Sequence, residues 1–132
     1  MHTGADNPVV HLDAPLKEAI LAMTRTKMAA TSVVDDEGKL VGVFVDGDLR
    51  RCLISGPIDM NVRIRDLLGS RAKFARPDMV GCGPKFVRPD TMAVKALEIL
   101  REYKIIELPV CDEEHRPIGM IHLHDITRVG IT

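Results

Sequence analysis

Two aspartates, Asp48 and Asp125, share one local pattern and are the residues of this chain best suited to bind a small molecule. Each has a glycine six positions ahead of it, and each falls where a predicted strand passes into a predicted helix. A carboxylate at such a junction can accept hydrogen bonds from both hydroxyls of a ribose, and the adjacent helix N-terminus offers backbone N–H groups to a phosphate. The alternative is that each aspartate only caps its helix.

Basic and polar side chains accompany both aspartates. His122 and His124 alternate along a predicted strand, so both can point to one side of it. Arg51 and Arg128 each follow one of the two aspartates, and a guanidinium fork suits phosphate recognition. Since no further Cys, Glu or His stands at ligand spacing beside the two histidines, no metal site is predicted. The alternatives are a surface histidine pair and solvated helix cations.

The groupings that an enzyme would need are missing from the sequence. There is no Ser-His-Asp grouping, no phosphate-binding loop and no GxGxxG motif. His11, Asp13 and Asp90 are conceivable acid-base groups, but nothing in the sequence orients them. The sequence therefore predicts a binding protein that is not itself a catalyst.

The composition is that of a globular chain without a strong electrostatic partner. Of 132 residues, 45% are hydrophobic and 28% charged, which fits one compact domain or two very small ones that share a core. The net charge of -1 and the aromatic content of 3% argue against nucleic-acid binding. The three widely spaced cysteines predict a reducing compartment, and no apolar run predicts a signal peptide or a membrane span, so we expect a cytoplasmic protein.

The chain repeats itself at an offset of 77 positions, the separation of Gly42 from Gly119, which aligns residues 9–53 with 86–130 without a gap. A copy of roughly 45 residues is too short to bury an adequate core alone, so the two copies should pack against each other. We predict a first repeat over 1–55, a linker or crossover segment over 56–84, and a second repeat over 85–132.

Both copies predict the element order β-α-β-β-α. The predicted elements of the first copy are strand Val9–His11, helix Leu16–Thr26, strands Thr31–Val34 and Leu40–Val45, and helix Gly47–Ile54; those of the second copy are Phe86–Arg88, Ala93–Tyr103, Leu108–Cys111, Pro117–Leu123 and His124–Val129. Asp13 and Asp90 are predicted N-caps. The glycines inside strands, Gly42 and Gly119, predict close packing of the other copy.

The two signatures, Gly42-Val-Phe-Val-Asp-Gly-Asp48 and Gly119-Met-Ile-His-Leu-His-Asp125, resemble those of the CBS domain pair. The resemblance covers nearly the whole chain. It implies an α/β fold in which two pseudo-symmetric β-α-β-β-α repeats pack into one compact module. It also implies a nucleotide or nucleotide sugar in a cleft between the copies, lined by Pro109 and Thr31 as equivalent positions of the second strand. His122 would replace the hydroxyl that the family usually carries at its position.

A narrower resemblance points to the regulatory region of D-arabinose 5-phosphate isomerases. The segments Gly42-Val-Phe-Val-Asp-Gly-Asp-Leu-Arg-Arg51 and His122-Leu-His-Asp-Ile126 look like segments of those enzymes. The resemblance implies an attached sugar isomerase domain outside this chain. Its expected effector is a cytidine nucleotide sugar (CMP-Kdo) or an adenine nucleotide, with no cofactor required.

The assembly predicted from the resemblance is a homodimer joined through helix faces. The predicted helices carry more apolar residues than one small core needs, namely Ile20, Met23, Val94, Leu97 and Leu100. The alternative function is a ligand-free dimerisation platform, which Val45 favours for the first copy because it stands where the family usually has Thr or Ser. A phosphorylated ligand is accordingly expected on the Asp125 side.

Overall fold

The computed structural model describes residues 2–68, 86–91, 93–103 and 105–127. Its strands are β1 (His2–Thr3), β2 (Val9–His11), β3 (Ala30–Val34), β4 (Leu40–Val45), β5 (Glu107–Cys111) and β6 (Pro117–His122). Its helices are α1 (Leu16–Thr26), α2 (Asp46–Ser55), α3 (Ile64–Leu68), α4 (Ala93–Glu102) and α5 (Leu123–Thr127), with a 3-10 turn at Gly4–Asp6. The predicted α/β fold with two β-α-β-β-α copies is confirmed.

The described residues form two three-stranded sheets, one around each copy. The first has the order β2-β3-β4, with β2 parallel and β4 antiparallel to β3. The second has the order β1-β6-β5, in which both pairings are antiparallel. In the second copy, the place of β2 is taken by a single parallel bridge from Val87 to Val110. The N-terminal strand β1 thus belongs to the sheet of the second copy and ties the start of the chain to it.

The short helix α3 completes the core of the first copy. Ile64 and Leu68 are buried in the same cluster as residues of α1 and of the first sheet. A Cβ added to Gly42 would lie 3.0 Å from Leu68 Cδ1. The glycine in β4 is therefore explained by the approach of α3, and the prediction that the other copy packs against Gly42 is wrong.

Most of the apolar residues predicted to form an outer helix face are needed inside. Met23, Leu97 and Leu100 are buried, and Ile20 packs against the first core. Of the five, only Val94 is largely exposed, at 51%. The prediction of surplus apolar residues on these helices was wrong, because each copy fills a separate core and two cores bury more helix surface than one core does.

The two copies are joined by a third cluster and by hydrogen bonds. Met28 and Ala30 of the first copy pack with Met120 of the second. At the hairpin turns, the Leu40 N–H donates to the His115 carbonyl at 2.8 Å. These contacts make one module of the two sheets, as the shortness of each copy required.

Candidate functional site

The two signature aspartates make the same backbone bond. Oδ2 of Asp48 accepts from the Val45 N–H at 2.8 Å, and Oδ2 of Asp125 accepts from the His122 N–H at 2.8 Å. In both cases an acidic side chain in the first helical turn reaches back to the last strand residue, which is half of a capping box. Capping is therefore a real role of both residues.

The contacts of Asp48 give this residue a further structural role. Only 4% of the residue is exposed, and its Oδ1 also accepts from the Arg51 guanidinium. A cleft of about 630 Å³ adjoins this pair. The cleft is lined by Asp48, Arg51, Cys52, Ser55, Pro57, Ile58, Asp59, Val62 and Leu67. All of these residues belong to α2, α3 and their connection, so the cleft beside Asp48 lies within one copy and not between the two.

The histidines of the second copy meet in a different way from that predicted. Because β6 ends at His122 and α5 begins at Leu123, His124 lies in a helix and does not alternate with His122 along a strand. The backbone N–H of His124 donates to His122 Nδ1 at 3.0 Å, which places the proton of neutral His122 on Nε2. The two rings meet edge to face, 4.7 Å between centroids. His122, His124 and the half-buried Asp125 are thus brought together at one strand-to-helix junction.

The strand residues predicted to line the cleft are not equivalent. The 77-residue offset pairs Pro109 with Ser32, whereas Thr31 lies opposite Phe44, in the helix-covered core of the first copy. Thr31 is fully buried there, and its hydroxyl donates to the Ser32 carbonyl at 3.3 Å. Pro109 is also buried, opposite Met120 of the cluster between the copies. The predicted equivalence of Thr31 with Pro109 was therefore wrong by one residue, and a one-residue shift in a strand reverses the face.

The structure describes some of the remaining predicted residues, and others lie outside the described ranges. Arg128 is outside the described residues. Asp13 does not cap α1, whose N-cap is Pro15, and instead accepts from the Arg65 guanidinium at 2.8 Å. This hydrogen bond holds the pKa of Asp13 below its ordinary value.

Among the described residues, no cluster of three potential metal-binding side chains occurs. No helix in the described ranges is long and apolar enough to cross a membrane.

Sequence reasoning missed Glu107, the buried acidic residue at the start of β5. It is 6% exposed, and both of its carboxylate oxygens lie 3.0 Å from the Ala29 nitrogen of the first copy, which donates to them. Burial raises the pKa of Glu107 to about 7, the carboxylate of Asp46 adds to the rise, and the Ala29 N–H opposes it. The repeat alignment contained a signal, because it sets this glutamate against Ala30.

The comparisons with known proteins agree with the fold. The profile of the CBS domain matches residues 2–55 and 75–131. Arabinose 5-phosphate isomerase KdsD of Pseudomonas aeruginosa is 37% identical over 131 residues, and that of Escherichia coli K12 is 36% identical. The alignments cover 99% of this chain but 36% of each relative, so the chain spans about a third of their length.

Solved structures with the same fold include CBS domain pairs, one of them in complex with AMP. A CBS domain pair/ACT domain protein from Thermotoga maritima superposes with a TM-score of 0.69 at 26% identity, covering 97% of this chain and 91% of that one. CBSX2 in complex with AMP superposes with a TM-score of 0.71 at 26% identity, covering 99% of this chain and 92% of that one.

Proposed function

Because the chain belongs to the CBS domain family and carries one copy of the domain in each half, we propose that it is a regulatory module that binds a nucleotide. The observation that carries the proposal is the repeated signature aspartate, held in both copies by the same 2.8 Å bond at a strand-to-helix junction. Such a junction combines a carboxylate for a ribose diol with helix N–H groups for a phosphate.

The second copy is the better candidate for the occupied site. Asp48 is buried and engaged with Arg51, and Asp46 adds a second carboxylate that would repel a phosphate. Asp125 is more exposed, and the imidazoles of His122 and His124 beside it can act as hydrogen-bond donors to an anionic group. The ligand is therefore proposed to bind around Asp125, and Arg128, three positions further along the sequence, is proposed to contact it as well.

Two ligand classes compete for this site. An adenine nucleotide is supported by the AMP complex of CBSX2, which is 26% identical to this chain. A cytidine nucleotide sugar such as CMP-Kdo is the second candidate, because it would act as a feedback effector of the isomerases that this chain resembles. In the natural protein, the module would control an attached arabinose 5-phosphate isomerase domain and would not itself turn over sugar phosphate.

A thermal-unfolding screen tests the proposal directly. A ligand that binds only the folded state stabilises it by RT ln(1 + [L]/Kd), about 2.7 kcal/mol at a hundredfold excess over Kd. We expect AMP, ATP, CMP or a CMP-sugar to raise the unfolding temperature in a saturable way. If every nucleotide leaves the temperature unchanged at millimolar concentration, the module is not a nucleotide sensor.

A second candidate function is a dimerisation platform, which the surface of α2 favours. Leu53 and Ile54 are 59% and 85% exposed near the end of this helix. Exposed apolar side chains of this size are typical of an interface between protein chains. Sedimentation at tens of micromolar, the usual range for a modest interface, separates a dimer from a monomer, and a dimer that binds no nucleotide would favour the platform.

A further inference from the structure

The two copies differ in chemistry at the place where they face each other. In the first copy, Ala30 of β3 lies opposite Val45 of β4. At the corresponding positions of the second copy, Glu107 of β5 lies opposite His122 of β6. Directly opposed residues project from the same side of a sheet. An apolar pair in one copy is thus matched by a polar, titratable pair in the other.

The glutamate of this pair reaches into the other copy. Its two oxygens share one donor, the Ala29 N–H, at 3.0 Å each. The residues that flank this donor are Met28 and Ala30, which pack with Met120 in the apolar cluster between the copies. A carboxylate has acceptor sites for about four donors, so a single N–H in apolar surroundings compensates little of the cost of burying its charge.

The charges around Glu107 do not neutralise it. Asp46, at the start of α2, donates its N–H to the Ala29 carbonyl at 2.9 Å, which brings a second carboxylate to the same place. The nearby cation Arg50 is paired with Asp46 at 2.7 Å. Lys27, in the connection before Ala29, is exposed, and no ion pair found among the described residues includes Glu107. His122 faces Glu107 from β6.

We propose that Glu107 acts as a pH-dependent latch between the two copies. The packing of the two copies is stable while the carboxyl group of Glu107 is neutral, and it is weakened when this group becomes a carboxylate. The pKa of Glu107, raised by burial to about 7 from 4.5, sets the range. A folded-state pKa above the unfolded-state value means that the stabilisation is complete below pH 4.5 and declines as the pH rises to about 7. The latch adjoins the second signature, because the His122 N–H is held by Asp125, but it operates without any ligand.

Unfolding and hydrogen exchange of the whole chain between pH 5 and 8.5 test the latch. The variants are Glu107→Gln, which mimics the neutral carboxyl, and the matched control Glu113→Gln, at an exposed position of a hairpin turn. In the wild type and the control, the folding equilibrium constant should fall by up to roughly 100-fold across this range. Glu107→Gln should lose most of that fall. The protection of the Ala29 amide, corrected for its intrinsic exchange rate, should decline with pH only when Glu107 is present.

Two results would contradict the latch. If Glu107→Gln keeps the pH dependence of the control, or if Ala29 protection stays constant in the wild type, the latch does not exist. If Glu107→Gln does not fold, carbon-13 NMR titration of the Glu107 carboxyl in the wild type decides the matter. A midpoint near 7 supports the latch, and a midpoint below 5 overturns it.

Discussion

Replacing Asp48 by alanine should lower the free energy of unfolding by more than it lowers the free energy of nucleotide binding. The change removes the bond from the Val45 N–H, a helix cap worth about 1 kcal/mol. It also removes the contact with Arg51, whose side chain is 67% exposed, so that solvent screening limits this pair to at most about 1 kcal/mol. The two losses together predict a destabilisation of between about 1 and about 2 kcal/mol.

Urea denaturation followed by circular dichroism measures this effect, with Asp48→Asn as the matched control. The asparagine keeps an oxygen that can accept from the Val45 N–H but loses the charge that attracts Arg51. It should therefore cost about half as much as alanine, at most about 1 kcal/mol. If Asp48→Ala changes the unfolding free energy by less than about 0.5 kcal/mol, the size of an ordinary surface change, then Asp48 is not a structural cap.

Three further predictions address the core, the thiols and the surface. Gly42→Ala should destabilise the chain by about 1 kcal/mol, measured by urea denaturation, because its Cβ would press on Leu68 Cδ1 at 3.0 Å; an unchanged midpoint would show that the Leu68 side chain moves aside at no cost. Burial raises the pKa of the Cys111 thiol to about 12, so alkylation of the native chain at pH 8 should spare it while half-buried Cys52 reacts, and peptide mass spectrometry reads both sites; equal labelling contradicts this. Ile54→Asp should shift any dimer towards monomer in sedimentation without lowering stability, since this side chain is 85% exposed.

The parts of the fold that follow local rules could be predicted from the sequence. Helix α1 has the predicted bounds, and it ends because Lys27 adopts the left-handed conformation, with φ at 57°. Apart from Phe86–Arg88, where only a single bridge at Val87 forms, the predicted strands lie within one residue of their observed ends. The resemblance to CBS domain pairs, based on two signatures, is confirmed over nearly the whole chain.

Contacts between distant residues escaped prediction. Asp13 pairs with Arg65, 52 positions away, and this ion pair displaces the local capping role that spacing alone suggested. His124 was expected to alternate with His122 along one strand because the alternation of polar side chains continues past the predicted strand end at Leu123, whereas the residue lies in α5. Glu107 was not singled out from the sequence, because its contact with Ala29 depends on how the second copy packs on the first. Sequence patterns predict which face of a helix or strand a residue occupies, but not which distant residue it contacts there.

Calorimetric titration of the chain with AMP and with a CMP-sugar tests whether the module binds a nucleotide. We expect saturable binding of at least one nucleotide. Asp125→Ala should weaken that binding about tenfold or more, because a charge-assisted hydrogen bond is worth roughly 1.5–3 kcal/mol. Asp48→Ala, checked for folding by circular dichroism, should weaken it less. Binding that survives Asp125→Ala but is abolished by Asp48→Ala would contradict the site, and the absence of binding by any nucleotide would contradict the proposed function.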